Sequence, residues 1–326
     1  MLRKIPKLWR NCSVSVFFTT LEQLALLFSF ILLGYVLARK KIVPDNTHGV
    51  LSKLESWVFM PCLVMSSFMD NFTPEKLSAA SKLFAGSFAL TFLIIGLSVV
   101  LSRLLSKDSY EKNLFAYGLS FSSFGFIGNA IVAAMFPDLL LEYIIFTLPF
   151  WIMIYLWGVP VLLMGDSAQK ATAKQRLKNL LNPMFICMLI GMVVGLAKLP
   201  IPRFLQSAVA SAGSCMSPLA MLLTGMAIAH FRLGDILKIK SVYYASALRL
   251  VVLPLLFLVA TLCLPISDTF ATCGVVALSM PLGLNTLVIP ASLGKDTRLG
   301  AGMALVSHIV SCITIPAIFA LFALTR

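Results

Sequence analysis

Long apolar blocks separated by short polar stretches run along almost the whole chain. A bilayer core of about 30 Å needs about 20 apolar residues in a helix, and the blocks have about this length. Cutting the chain at charge clusters and turn residues predicts ten membrane-spanning segments, numbered one to ten: residues 17–39, 48–70, 83–106, 113–136, 140–164, 183–198, 204–231, 241–264, 269–293 and 299–324. The pattern therefore predicts an all-α integral membrane protein.

Composition leaves no room for a separate water-soluble domain. Of the 326 residues, 59% are hydrophobic and 12% are charged, and the mean hydropathy is +0.95. Soluble domains usually carry about a quarter charged residues. We therefore divide the chain into an N-terminal tail (1–16), a first five-helix repeat (17–164), a cytoplasmic linker (165–182) and a second five-helix repeat (183–326).

The net charge of +13 lies in loops between apolar segments, which indicates membrane orientation and no nucleic-acid partner. Counted with Arg39, Arg103 and Lys198 at the adjoining segment ends, loops after odd-numbered segments carry 15 Lys and Arg residues, and loops after even-numbered segments carry 4. The odd loops are predicted to be cytoplasmic, and both termini of this cell-membrane protein non-cytoplasmic. Four positive charges in the tail (Arg3, Lys4, Lys7, Arg10) oppose this orientation, and whether the tail belongs to the native start stays open.

The sequence predicts neither an enzyme nor a bound cofactor or metal. Its seven cysteines show no CxxC or Cys/His spacing, so we interpret them as packing residues. There is no P-loop for ATP-driven pumping and no HExxH or other hydrolase motif.

Segments four and nine are dense in residues that weaken helices. Five segments per half make the two halves inverted repeats if they are repeats at all, and these two segments take equivalent positions in them. A helix interrupted within the membrane survives only where protein or a water-filled cavity covers the break. Its freed N–H ends attract anions and its freed carbonyl ends attract cations. The predicted substrate-binding residues are Ser122, Ser123, Gly125, Gly128 and Asn129 in segment four, and Pro281, Gly283, Asn285 and Thr286 in segment nine. The alternative is that these small residues only allow close helix packing.

Three ionisable residues within apolar segments are candidates for charge recognition or ion coupling. Arg249 draws in or neutralises an anion, or else snorkels to the surface or caps carbonyls loosened by Pro254. His308 relays protons or is a hydrogen-bonded packing residue. Glu55 is the best carboxylate for proton coupling, with an interfacial position as the alternative.

Several motifs together resemble the auxin efflux carrier family, in particular bacterial members described as malate or malonate permeases. The resemblance runs over residues 16–322 and is strongest at 182–183, 218–226, 280–307 and 314–316. It implies a fold shared with bile acid/sodium symporters and sodium/proton antiporters, with inverted five-helix repeats and crossed broken helices four and nine. It also implies a scaffold of helices 1, 2, 6 and 7, through which a homodimer forms, and a mobile domain. The chain departs from the family pattern at Ser123, where Asn is usual, and at Ala130, where Pro is usual.

These observations predict a secondary active transporter of a small organic anion, such as malate, malonate or an auxin-like acid. Alternatives on the same fold are an ion exchanger or channel, and a membrane sensor without flux. The sequence leaves open the substrate, the direction of transport, the coupling ion (proton, sodium or neither) and the oligomeric state.

Overall fold

The structure is a computed structural model that describes residues 13–44, 46–163, 183–229, 238–292 and 294–325. The described residues form helices and no β-strand, apart from one isolated antiparallel bridge between Ser122 and Leu282. The predicted linker and residues 1–12 of the predicted tail lie outside the described residues. The all-helical part of the prediction is confirmed.

The helices follow the predicted segments. In the first half they are Ser13–Arg39 in segment one; Thr47–Leu54, π-helical Glu55–Phe59 and Met60–Asn71 in segment two; Pro74–Leu105 in segment three; Ser109–Ser120, π-helical Phe124–Gly128 and Asn129–Met135 in segment four; and the 3-10 turn Pro137–Leu139, Leu140–Met153 and π-helical Ile154–Leu163 in segment five. In the second half they are Pro183–Ala197 in segment six; Arg203–Ser214 and Met216–Ala229 in segment seven; Lys240–Ala247, π-helical Leu248–Val252 and Leu253–Cys263 in segment eight; Asp268–Ser279 and Asn285–Ser292 in segment nine; and Arg298–Thr325 in segment ten. Segment three begins earlier than predicted because proline fits the first helical turn, where its missing N–H costs nothing.

Within the described residues, five helices are long and apolar enough to cross a membrane: Ser78–Leu105, Pro137–Leu163, Arg203–Ala229, Lys240–Cys263 and Arg298–Thr325. Four shorter apolar helices, of 10–17 residues, are Ala25–Arg39, Phe124–Met135, Pro183–Ala197 and Asp268–Ser279. The chain is therefore a multi-pass helical membrane protein, and five of the ten predicted segments reach membrane length in the structure.

Segment one packs against segment seven through glycines. A Cβ atom on Gly225 would overlap the carbonyl oxygen of Ile31 and come within 2.7 Å of the Tyr35 nitrogen, and one on Gly34 would overlap the carbonyl of Leu222. Close approach of backbones at small residues is a main source of helix association in membranes. The missing side chains therefore set the distance between these two helices.

Replacement of Gly225 by Ala is expected to destabilise the protein by about 1–3 kcal/mol, because the new methyl group meets backbone that can move only with its helix. Gly96→Ala is the matched control, since a Cβ there meets nothing within 4 Å and alanine favours a helix. Thermal unfolding in detergent checks both variants. Equal melting temperatures for Gly225→Ala and the wild type would contradict the proposed packing.

Segments four and nine meet in the interior of the fold. Leu114 and Leu119 of segment four and Leu278 and Leu282 of segment nine are completely buried. The start of segment four is also tied to the loop before segment ten, because the Tyr110 hydroxyl donates a 2.6 Å hydrogen bond to the Asp296 carbonyl. Segment four thus packs against segment nine in the interior and also contacts the loop that follows it.

Candidate functional site: the crossing of two interrupted helices

The helices of segments four and nine are interrupted at residues 121–123 and 280–284, and the two interruptions contact each other. The Ser123 N–H donates to the Pro281 carbonyl at 2.7 Å, and the Ser122 hydroxyl donates to the Ala277 carbonyl at 2.9 Å. Segment ten contributes Ser307, whose hydroxyl accepts a 3.1 Å hydrogen bond from the Leu282 N–H. Backbone groups freed by one break are thus satisfied by the other break and by segment ten, as a membrane interior requires.

Glycines allow this close approach. A Cβ atom on Gly283 would lie 2.7 Å from the Phe121 carbonyl oxygen. One on Gly125 would overlap the Trp151 ring, and one on Gly128 would overlap the Tyr143 hydroxyl. The three glycines therefore have packing roles, one across the crossing and two against segment five.

A small cavity lies between the two second half-helices, which begin at Phe124 and Asn285. Its lining residues are Tyr117, Phe121, Ser122, Phe124, Gly125, Phe126, Trp151, Ile154, Gly283, Leu284 and Asn285. The N-terminal ends of both half-helices face it, and such ends carry partial positive charge. The space open to the centre of a water molecule is about 10 Å³, which holds about one water. The site is closed in this conformation.

Asn285 and Tyr117 are the polar pair of the cavity. The Asn285 amide nitrogen donates to the Tyr117 hydroxyl oxygen at 2.9 Å and thereby joins the two broken segments. A tyrosine hydroxyl that accepts a hydrogen bond keeps its own proton for another acceptor. The pair therefore offers an O–H donor to an anion in the cavity.

Asn129 and Thr286 make side-chain hydrogen bonds within their own segments. The Asn129 amide nitrogen donates to the Gly125 carbonyl at 2.8 Å, and the Thr286 hydroxyl donates to the Gly283 carbonyl at 2.8 Å. Neither residue lines the cavity. The Asn129 amide oxygen and the Ser123 hydroxyl are buried and have no hydrogen-bond partner within the described ranges. These residues shape the breaks and do not reach the cavity in this conformation.

Arg249 lies at the carbonyl side of the crossing. Its side chain is 1% exposed, and its guanidinium nitrogens donate to three carbonyl oxygens: Leu119 at 2.8 Å, Ala277 at 2.9 Å and Met280 at 3.3 Å. These carbonyls belong to the C-terminal ends of the first half-helices of both broken segments. Arg249 therefore neither snorkels to the surface nor lines the cavity, and the carbonyls that it caps are not those near Pro254.

His308 and Glu55 are both buried, at 1% and 3% exposure. The His308 Nδ1 atom lies 2.6 Å from the Ala304 carbonyl, so Nδ1 carries a proton; Nε2 has no partner within the described chain. Glu55 lies in the π-helical turn of segment two, and its Oε1 atom likewise has no hydrogen-bond partner among the described residues. Glu55 lies close enough to Tyr155 of segment five for an electrostatic interaction. The Glu55 side chain is therefore enclosed by protein.

Sequence reasoning missed the aromatic lining and Tyr117. The lining aromatic residues are Tyr117, Phe121, Phe124, Phe126 and Trp151. Phe124 and Phe126 stand within residues 122–129, the stretch that marked the first break, and Phe121 directly precedes it, so their position was a usable signal. Trp151 comes from segment five, and no local pattern distinguishes it from an aromatic residue that faces lipid.

Two larger cavities lie away from the crossing. One of about 380 Å³ is bordered by the starts of segments three, five and nine, including Lys82 and Glu142. The other, of about 860 Å³, is a groove between segments three and eight lined only by apolar residues and glycine. An apolar groove on the outer face of a membrane protein is the surface expected to contact lipid. Neither cavity includes a predicted substrate-binding residue.

Two buried helix interruptions whose backbone groups hydrogen-bond each other, within a multi-pass helical protein, are typical of membrane transport proteins. A family model described as "Membrane transport protein", which represents the auxin efflux carrier family, matches residues 19–319. The chain belongs to this family, and the predicted resemblance is confirmed. A search of curated proteins finds no match.

Proposed function

We propose that this protein is a secondary active transporter that carries a small organic anion across the cell membrane by alternating access. The observation that carries the proposal is the cavity at the crossing, onto which the N-terminal ends of two half-helices and the Asn285–Tyr117 pair converge. Helix N-termini bind carboxylates through partial positive charge and free N–H groups. Such a site holds an anion and still releases it, because it contains no full counter-charge that would trap the ligand.

The substrate is a carboxylate with an apolar or aromatic body. Five aromatic side chains line the cavity, and none of its described lining residues is charged. Aromatic rings favour stacked or edge-on contact with another apolar group. A second carboxylate, as in malate or malonate, would meet these rings without a cation. Within the predicted substrate classes, the lining therefore favours an auxin-like monocarboxylate.

The architecture proposed is ten helices in two inverted five-helix repeats, with non-cytoplasmic termini. Segments three to five and eight to ten move the crossing past a scaffold of segments one, two, six and seven, which also forms a homodimer. Packing of segment one on seven, and of two on six, supports this division. The closed crossing supports a carrier over a channel, since a channel needs a continuous water-filled path.

Proton coupling through Glu55 is part of the proposal. A buried carboxylate without a full set of partners is a functional candidate within a membrane. Tyr155 lies within electrostatic range of both Glu55 and Tyr117, and the Tyr117 hydroxyl accepts a hydrogen bond from Asn285. Besides the helices of its own segment, the helices Pro183–Ala197, Arg203–Ser214 and Met216–Ala229 pack against the Glu55 turn, and their titratable side chains are Cys187 and Arg203. Tyr155 is thus a polar side chain near both Glu55 and the crossing.

A flux panel in proteoliposomes tests the function. Radiolabelled mono- and dicarboxylates are offered with proton and sodium gradients imposed separately. We expect saturable uptake with counterflow, and stronger competition by aromatic monocarboxylates than by malonate or malate. Conductance far above carrier turnover would replace the carrier with a channel, and ligand binding without any flux would indicate a sensor.

A further inference from the structure

Arg249 is a buried, positively charged side chain at the carbonyl side of the crossing. It donates hydrogen bonds to three carbonyl oxygens, which belong to the two broken helices. Its Nη1 atom bonds Leu119, which precedes the last residue of the helix Ser109–Ser120. Its Nη2 and Nε atoms bond Ala277 and Met280 at the end of Asp268–Ser279. One side chain therefore reaches the C-terminal ends of both first half-helices.

These ends are the place where an unassisted crossing would attract a cation. Carbonyls at the C-terminus of a helix carry partial negative charge and lack partners in the helix itself. Broken helices in membrane transporters use such carbonyls to coordinate Na⁺ or to interact with protons. Here the guanidinium of Arg249, a residue of segment eight, donates hydrogen bonds to three of these carbonyls.

We propose that Arg249 is a built-in counter-cation that fills the cation-binding side of the crossing, so that anion binding on the other side requires no sodium ion there. This inference rests on the proposed function. It makes Arg249 a positioning residue: it fixes the ends of the first half-helices, and the second half-helices then present their N-terminal ends to the anion. Lysine in place of Arg249 would supply the same charge, but it lacks the planar set of five donors that spans three separated acceptors.

Rescue with a small cation tests the charge separately from folding. Arg249→Ala removes the guanidinium and leaves the three carbonyls facing a void of the size of the lost side chain. We expect millimolar methylguanidinium, too dilute to denature, to raise the melting temperature of this variant by about 3 °C. Leu250→Ala is the matched control, because Leu250 is the neighbouring residue and is also completely buried, but has no charge to replace. It should be destabilised without any rescue.

Transport measurements complete the test. We expect at least a tenfold loss of anion affinity in Arg249→Ala, partial recovery with methylguanidinium, and smaller losses in Arg249→Lys than in Arg249→Gln. Wild-type uptake should be equal in sodium and choline buffers. Equal methylguanidinium effects on Arg249→Ala and Leu250→Ala, unchanged anion affinity in Arg249→Gln, or a sodium requirement in the wild type would each overturn the proposal. The melting-temperature experiment needs no substrate, so it stands even if no carboxylate is transported and the proposed function fails.

Discussion

Replacement of Asn285 by Leu is expected to abolish anion binding while the protein stays folded and monodisperse. The change removes the amide that bonds the Tyr117 hydroxyl and places an apolar group at the N-terminal end of the second half-helix. Without the amide the Tyr117 hydroxyl is no longer held in place for the charged ligand, a bond that contributes about 1.5–3 kcal/mol, and the branched side chain also fills the cavity, so the affinity should fall about 100-fold or more. Ligand-induced thermal stabilisation and uptake into proteoliposomes measure the loss.

Asn71→Leu is the control for this substitution. Asn71 makes a hydrogen bond within its own helix, from its amide nitrogen to the Ser67 carbonyl at 3.3 Å, far along the chain from the crossing. It undergoes the same chemical change without touching the cavity, so its uptake should match that of the wild type. Wild-type uptake by Asn285→Leu would refute the site, and equal losses in both variants would indicate a general effect on folding.

The positions of the helices follow from the sequence because the membrane imposes a simple rule. Apolar length and flanking charge predict where a helix runs, and the helix of segment six, Pro183–Ala197, ends one residue before the predicted bound. The two breaks were also predictable, since glycine, serine and proline weaken a helix locally. The π-helical turn at Glu55–Phe59 was not, because it contains neither glycine nor proline to mark an irregular turn.

The hydrogen-bond partners within the site were much harder to predict from the sequence. Arg249 stood out as a buried cation, but its acceptors lie 130, 28 and 31 residues away in the chain. Pairing over such distances depends on how the segments pack, which no local pattern reports. The same holds for the Asn285–Tyr117 bond, which joins the two halves of the chain. Sequence reasoning found the residues that break the helices, four of which line the cavity (Ser122, Gly125, Gly283 and Asn285), and missed its aromatic residues.

The crossing has two electrically different sides, and this separation explains how one site accommodates both a buried arginine and a mobile anion. Arg249 lies at the carbonyl ends, whereas the cavity lies at the N–H ends. A full positive charge inside the cavity would bind a carboxylate tightly and oppose its release. A charge fixed on the other side instead stabilises the arrangement of the helices. Ligand affinity then depends on neutral donors, whose strength suits a site that must empty on every cycle.

Glu55→Gln is expected to abolish accumulation driven by a proton gradient while exchange of internal for external anion continues. Glutamine resembles the protonated carboxyl group in shape and charge, so the variant can cycle with substrate but cannot give up a proton. One coupled proton allows about tenfold accumulation across a gradient of about one pH unit. The wild type should approach this ratio, and Glu55→Gln should show none beyond equilibration.

Proteoliposomes loaded at one pH and diluted into another measure both quantities with the same labelled anion. Glu22→Gln is the matched control, because Glu22 is an exposed carboxylate in segment one, and its neutralisation should leave accumulation intact. Proton-driven accumulation by Glu55→Gln would exclude Glu55 as the coupling group. Loss of exchange together with accumulation would place Glu55 in the machinery that moves the anion itself. Only the loss of accumulation with exchange preserved assigns the proton to Glu55, because exchange returns the carrier with substrate bound and requires no proton to be released.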